Sequence, residues 1–254
     1  MNLRIVGIAL AVAAIAGSMT LAQGIVPARG DASPLDQPLG WLKDAKRNYG
    51  AVKDYTCILV SQEHVKGKLE DENIIEFKQR TEPYSVSLRW LAPAKSQGQH
   101  VVYVKGKNNN KMRVKSNFIG AKVIGFVSLD IRDPRVTQHS RHTIDEAGIG
   151  NMIDTALRNW EIERKVGKTE VKIAEYKFDE RPCYRIELTR SEKRADMPYF
   201  RSVMYLEKES KMPMRVENYD HPRKGGPVGG DLLEIFSYTN LRFNVGLKDA
   251  EFDK

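Results

Sequence analysis

The stretch Tyr84-Ser85-Val86-Ser87-Leu88-Arg89-Trp90 alternates without a break. Successive side chains of a strand point to opposite faces, so Tyr84, Val86, Leu88 and Trp90 share one face while Ser85, Ser87 and Arg89 share the other. One apolar and one wetted face is the signature of an antiparallel sheet. Outward from this strand the same grammar recurs: residues 55–64, 73–79, 100–105, 111–116 and 122–130 surround it, and residues 169–178, 182–190, 200–207, 213–219 and 232–243 follow later. Gly106 to Asn110 reads as a hairpin loop. Asp179-Glu180-Arg181-Pro182 and Ser210-Lys211-Met212-Pro213 are among the turns between the later strands, so the pattern predicts an antiparallel meander.

Two segments carry a helical period instead. Leu42, Ala45, Tyr49 and Val52 fall on one face of a helix expected from Leu39. Thr143 and Glu146 form a T-x-x-E capping box, which predicts a second helix opening at Thr143. Ile149, Met152, Ile153, Ala156, Leu157 and Trp160 give that helix a broad apolar stripe. Gly148 and Gly150 weaken its first turns by about 1 kcal/mol each relative to Ala. The layout of helix, about six strands, helix and five strands is α+β and mostly antiparallel β. A curved sheet with both helices on one face buries the stripes and the sheet's apolar side together.

The N-terminus directs the compartment. Arg4, the apolar run Ile5 to Ala16 and the small residues Thr20-Leu21-Ala22 follow signal-peptide grammar, so residues 1–22 read as a leader cleaved after Ala22. Its apolar core is short for a membrane span, which needs about 20 residues. No Cys follows it to accept a lipid, and no second apolar stretch reaches spanning length. Residues 23–38 read as a flexible tether and residues 39–254 as one β-rich domain. The expectation is a periplasmic or otherwise secreted protein, soluble after cleavage and with no stable membrane span. The net charge of +8 then points to anionic lipid or acidic envelope partners and not to nucleic acid. In an oxidising compartment Cys57 and Cys183 are expected to pair. Closing so long a loop stabilises by roughly 5 kcal/mol in the chain-entropy model.

Catalytic chemistry is sparse. The chain has no G-x-S-x-G elbow, no Walker loop and no H-E-x-x-H. Ser140 with His139, His142 and Asp145 is the best nucleophile cluster, but a triad needs an oriented base and an oxyanion hole, and a polar loop entering a helix explains these residues more simply. His139 and His142 alone are too few for a structural metal site. No catalytic residue, cofactor or metal is assigned. Lys111, Arg113 and Lys115 alternate with Met112 and Val114, which puts three cations on one sheet face as a candidate basic docking surface. The methionines and aromatics offer adaptable apolar surface.

From Arg80 onward the sequence resembles a known pattern. Arg80, Pro83, Leu88-Arg89-Trp90, Pro93, Val101 and Gly106 resemble the strand series of the periplasmic lipoprotein-carrier (LolA-like) superfamily. The later Trp160, Met212-Pro213, Asn244, Leu247 and Phe252 agree in order. Closer still, Tyr55-Thr56-Cys57, Arg89-Trp90, Ser140-Arg141-His142, Gly148-Ile149-Gly150 and Cys183 resemble an exported family known as domain of unknown function 1571. This resemblance implies an incomplete β-barrel with helices packed on its concave face and a hydrophobic ligand beneath them. It also implies a lid-latch role for Arg80. The expected lining is Tyr84, Val86, Leu88, Trp90, Val101, Tyr103, Met152, Ile153, Leu157, Trp160, Met204 and Met214. The function expected is non-enzymatic binding or carriage of a lipid or lipoprotein acyl chain. The alternative is a module that docks an envelope protein through its basic surface.

Overall fold

A computed structural model describes residues 33–116 and 125–253. The expected leader, most of the tether and the start of the strand expected over 122–130 lie outside the described residues. Helix α1 spans Asp36–Tyr49. It is followed by β1 (Asp54–Val65), β2 (Lys68–Leu69), β3 (Asn73–Arg80), β4 (Ser85–Ala92), β5 (His100–Val104), β6 (Met112–Lys115) and β7 (Val127–Leu129). After the short α2 (Pro134–Thr137) comes α3 (Ile149–Val166). The chain ends in β8 (Thr169–Phe178), β9 (Arg181–Arg190), β10 (Arg201–Glu207), β11 (Pro213–Tyr219) and β12 (Leu232–Phe243).

The strands form one antiparallel sheet in the order β7-β6-β5-β4-β3-β1-β12-β11-β10-β9-β8, with β2 folded onto β1. It is two meanders joined where the first strand meets the last, Tyr55 opposite Phe243 and Glu63 opposite Glu234. Among the described residues β7 and β8 are not paired, so the sheet is open. The fold is α+β with an incomplete, curved antiparallel sheet.

Alternation decides which side of the sheet is covered. Along β1, Tyr55, Cys57, Leu59, Ser61, Glu63 and Val65 are buried while the residues between them are half-buried. The inward residues of β1, β3–β6, β11 and β12 join Ile149 and Ile153 of α3 in one core. A second core packs Leu35, Leu39 and Leu42 beside Trp160 of α3 and Ile186, Leu188, Met204 and Leu206 of the far meander. Burying a Leu or Ile fully contributes about 1.5–3 kcal/mol, which makes these two clusters the main glue between helices and sheet.

Two helix boundaries differ from expectation. α1 opens at Asp36, so Leu35 and Pro38, assigned to the tether, are buried. Residues Ile144–Glu146 are a separate 3₁₀ turn, in which the Thr143 N–H donates to Glu146 Oε2 at 3.2 Å. α3 proper begins only at Ile149, because Gly148 takes φ +99° and breaks the helical path. The helix ends at Gly167, which takes the left-handed conformation.

The expected disulfide is absent: Cys57 and Cys183 are both buried and both free. β12, β11 and β10 stand between β1 and β9. Four interstrand steps of about 4.8 Å along the sheet therefore separate the two thiols, whereas a disulfide joins Cα atoms within about 7 Å. Burial pushes the Cys57 thiol far up and the Cys183 thiol to about 11, which keeps both protonated and unreactive. Protein unfolded in guanidinium without reductant should therefore titrate two thiols per chain, and reductant should leave Tm unchanged. A Tm that falls on reduction would overturn the assignment.

Candidate functional site

The concave side of the sheet gathers the expected lining residues. Tyr84, Val86, Leu88, Trp90, Val101, Tyr103, Met152, Ile153, Leu157 and Met214 lie in or against the first core, and Trp160 and Met204 in the second. Val86, Ile153 and Met214 are fully buried, so the described residues pack this face closed beneath α1 and α3. Tyr84, Leu88, Trp90, Met152 and Leu157 are only partly buried and form a half-buried apolar margin of this core.

Tyrosine hydroxyls hold the N-terminus of α3 on this apolar floor. The first amides of a helix have no partner within it, and burial makes each unsatisfied one costly. The Ile149 N–H donates to the Tyr55 hydroxyl at 2.9 Å, and that hydroxyl donates onward to Gln79 Oε1. The Gly148 and Gly150 amides face the hydroxyls of Tyr238 and Tyr49. Burial pushes all three phenols up, Tyr49 to about 12 and Tyr55 and Tyr238 further, so they stay protonated. The Tyr84 hydroxyl shares its proton between the carbonyls of Ile144 at 2.8 Å and Ala147 at 2.9 Å. Both glycines of the Gly148-Ile149-Gly150 signature now have a reason. A Cβ at Gly148 would overlap Gln79 Oε1 and sit 2.7 Å from the Tyr55 hydroxyl, and one at Gly150 would sit 2.6 Å from the Tyr49 ring.

A polar cluster closes one end of the same face. Glu63 and Glu234 are cross-strand partners on β1 and β12, a pairing of like charges that is unfavourable by itself. The Ser140-Arg141-His142 loop compensates. The Ser140 hydroxyl donates to Glu63 at 3.0 Å, and the Arg141 N–H donates to Glu63 at 2.7 Å. Arg141 Nε and His142 Nε2 reach Glu234 at 3.1 and 2.9 Å. The Tyr199 hydroxyl and the Asn218 amide donate to its other oxygen at 2.8 and 2.7 Å.

Burial alone would raise the Glu234 carboxyl, but the His142, Asn218 and Tyr199 hydrogen bonds and the His142 charge hold it at about 2. Burial likewise opposes charge on His142, yet Glu234, Glu63 and Glu146 lift it to about 9. For Glu63 burial wins over the bonds from Arg141 and Ser140, and its carboxyl is raised.

This geometry is not a catalytic triad. The Ser140 hydroxyl donates to a carboxylate and meets no imidazole ring, accepting only the His142 backbone N–H at 3.2 Å; the His142 ring engages Glu234, and His139 is exposed. Ligand atoms of Glu63, His142 and Glu234 lie within 4.8 Å of one another, a spacing that suits a cation. The Glu234 oxygens are already taken by Arg141, Tyr199 and Asn218, so the cluster acts as an ionic anchor for the loop that leads into α3.

Arg80 sits on the opposite, convex side. It pairs with Asp249 at 2.6 Å, donates to Ser85 Oγ at 3.1 Å and stacks over the Phe252 ring at 5.1 Å. Its partners are therefore β4 and the C-terminal segment. Arg113 donates to Ser128 Oγ at 3.1 Å on that same side, and Lys111 and Lys115 are exposed. Sequence reasoning missed Glu63, Glu234, Tyr199 and Asn218. Two of these carried a signal: Glu63 follows Leu59 and Ser61, and Glu234 precedes Phe236 and Tyr238, each at the inward position of an alternating strand. Gln79 carries the same signal, following Ile75 and Phe77 on β3, whereas Tyr49, Tyr55 and Tyr238 do not stand out, because an inward aromatic reads as ordinary core.

The family model described as "Protein of unknown function (DUF1571)" matches residues 52–254. No curated protein matches the sequence. Among solved structures, a putative outer membrane lipoprotein-sorting protein domain from Vibrio parahaemolyticus is 13% identical, over 85% of this chain and 95% of its own, with a TM-score of 0.40. Lipoprotein LppX of Mycobacterium tuberculosis is 10% identical over 86% and 100%, with a TM-score of 0.48. A chain of the Pseudomonas aeruginosa MucA/MucB complex is 13% identical over 86% and 61%, also at 0.48.

The geometry sets three outcomes. Tyr55→Phe strands the Ile149 amide and Gln79 and should cost about 1–3 kcal/mol, whereas Gly148→Ala adds strain at positive φ to a steric overlap and should cost on the order of 3 kcal/mol; urea unfolding measures both. The His142 contribution is complete below its ordinary value of 6.5 and drains as pH rises toward about 9. The Glu234 contribution is complete above 4.5 and drains as pH falls toward about 2. Wild-type Tm should accordingly fall more steeply between pH 6.5 and 9 than that of His142→Gln. Parallel curves would show that the ring carries no linked charge.

Proposed function

The chain belongs to the family described as "Protein of unknown function (DUF1571)", and we propose that it is a non-enzymatic envelope protein that binds a hydrophobic ligand, a lipid or lipoprotein acyl chain, between its concave sheet and helices α1 and α3. The observation that carries this reading is the apolar concave face, continuous from β6 to β11 and flanked by a half-buried margin at Leu88, Trp90, Met152 and Leu157. α3 covers this face through an apolar stripe, a few hydroxyl bonds at its N-terminus and, near its C-terminal end, a buried Glu163–Arg190 ion pair to β9. Such a cover can tilt away with its stripe exchanging sheet contacts for acyl-chain contacts, so little apolar area is lost to water. The reading of residues 1–22 as an export leader agrees with a compartment where such ligands are found, and no described helix is long and apolar enough to cross a membrane.

Extraction of the purified mature protein followed by mass spectrometry of the extract, together with titration of a fluorescent fatty acid, tests the reading. Bound lipid or saturable fluorescence is expected, and Met152→Arg should weaken fatty-acid binding about tenfold by placing a charge on the margin. No recovered lipid combined with no saturable binding overturns it.

A second reading is a module that docks an envelope partner through its basic surface. It is favoured by a specific contrast: the concave face is packed among the described residues, while the basic side carries a concavity of about 300 Å³.

A further inference from the structure

The convex face is already occupied in part by a peptide, namely the chain's own C-terminal segment. Residues 247–253 cross the outer side of β3, β4 and β5. Asp249 pairs with Arg80 at 2.6 Å, Glu251 with Lys78 at 2.6 Å, and Asp253 lies 3.7 Å from Lys107. Between these acids, Phe252 is buried against Val102 and Val104, with Leu247 alongside. The segment thus reads the face by a simple rule: an acid at every second position for a row of cations, and an aromatic ring for the apolar patch that β5 presents outward.

The row of cations runs on where the segment stops. Beyond Asp253 opens the concavity of about 300 Å³, with Phe252 and the edges of the Val102 and Val104 side chains it covers at its base and Lys107, Asn108, Lys111 and Arg113 around it. Lys115 extends the row along β6. Among the described residues no carboxylate lies within ion-pair reach of Lys111 or Lys115, whereas the cations beneath the C-terminal segment each have one. Apolar floor and basic rim are continuous with the patch that holds Phe252.

We propose that this cleft docks an acidic, aromatic-bearing peptide segment of an envelope partner, bound on the convex face by the same rule as residues 249–253. The inference rests on the second reading above and names the partner's chemistry. Every strand involved is paired on both edges, so recognition runs through side chains and not through strand addition. Charge pairs at an exposed rim govern encounter and partner choice more than affinity, and an aromatic ring laid beside Phe252 at the base of the cleft supplies the anchor.

The test uses the mature chain and a fluorescein-labelled peptide that repeats residues 249–253 twice. Saturable binding is expected, weakening as salt rises and about tenfold weaker when the peptide's phenylalanines are replaced by alanine. The triple variant K111E/R113E/K115E should lose at least tenfold in affinity. A control that reverses Lys66, Lys165 and Lys193, exposed on other elements, matches the change in net charge and should lose less than twofold; equal Tm values confirm that both variants fold. Equal loss in both triples overturns the proposal, because net charge alone would then act. Absence of peptide binding overturns it as well, and phosphatidylglycerol vesicles separate what has failed. If vesicles bind and K111E/R113E/K115E abolishes that binding, the surface docks a headgroup and only the peptide assignment falls. If neither probe responds to the triple, the docking reading falls with it.

Discussion

The Tyr55 hydroxyl is where helix, near meander and far meander meet. It stands on β1, the strand that joins both halves of the sheet, beside Phe243 of β12. It accepts the first helical amide of α3 and donates to Gln79 on β3. A sheet with one apolar face needs a cover, and a helix used as a cover must bring its unpaired N-terminal amides down onto apolar ground. Tyrosines meet both demands, since each ring adds to the floor while its hydroxyl takes an amide. The positive φ at Gly148 and the missing side chain at Gly150 follow from how closely the helix must approach.

The Glu63–Glu234 cluster makes a second attachment of the same cover by different means. Two acids facing each other at one end of the sheet create a demand for positive charge, and the loop before α3 answers it with Arg141 and His142. The tyrosine pins are neutral and insensitive to physiological pH, while the ionic anchor titrates through His142. The cover is thus held at one point by bonds that pH leaves alone and at another by a charge that alkaline conditions remove.

The two faces of the sheet follow different chemistry, and the alternation of each strand keeps them apart. Met112 and Val114 turn inward to the core while Arg113 turns outward beside Ser128. Val102 and Val104 break the usual outward polarity of β5, and Phe252 of the C-terminal segment covers them. Arg80, expected from resemblance as a latch for the helical lid, is engaged with that segment.

Local sequence determined the strands, the two helical faces and the sidedness of nearly every lining residue. A strand's period of two and a helix's period near 3.6 are properties of neighbouring residues, so they are written in the order of the chain. Tertiary structure decided what those periods cannot encode. Cys57 and Cys183 both face inward, yet strand order sets three strands between them and leaves both thiols free. Glu63 and Glu234 each look misplaced in an apolar face until the β1–β12 register sets them opposite each other and the 140–142 loop reaches both. Thr143 opens a turn and not the helix, because the glycine that admits α3 to the tyrosines ends the path five residues later. In each case the deciding contact joins residues far apart in the chain, and only the order and register of the strands specify which of them meet.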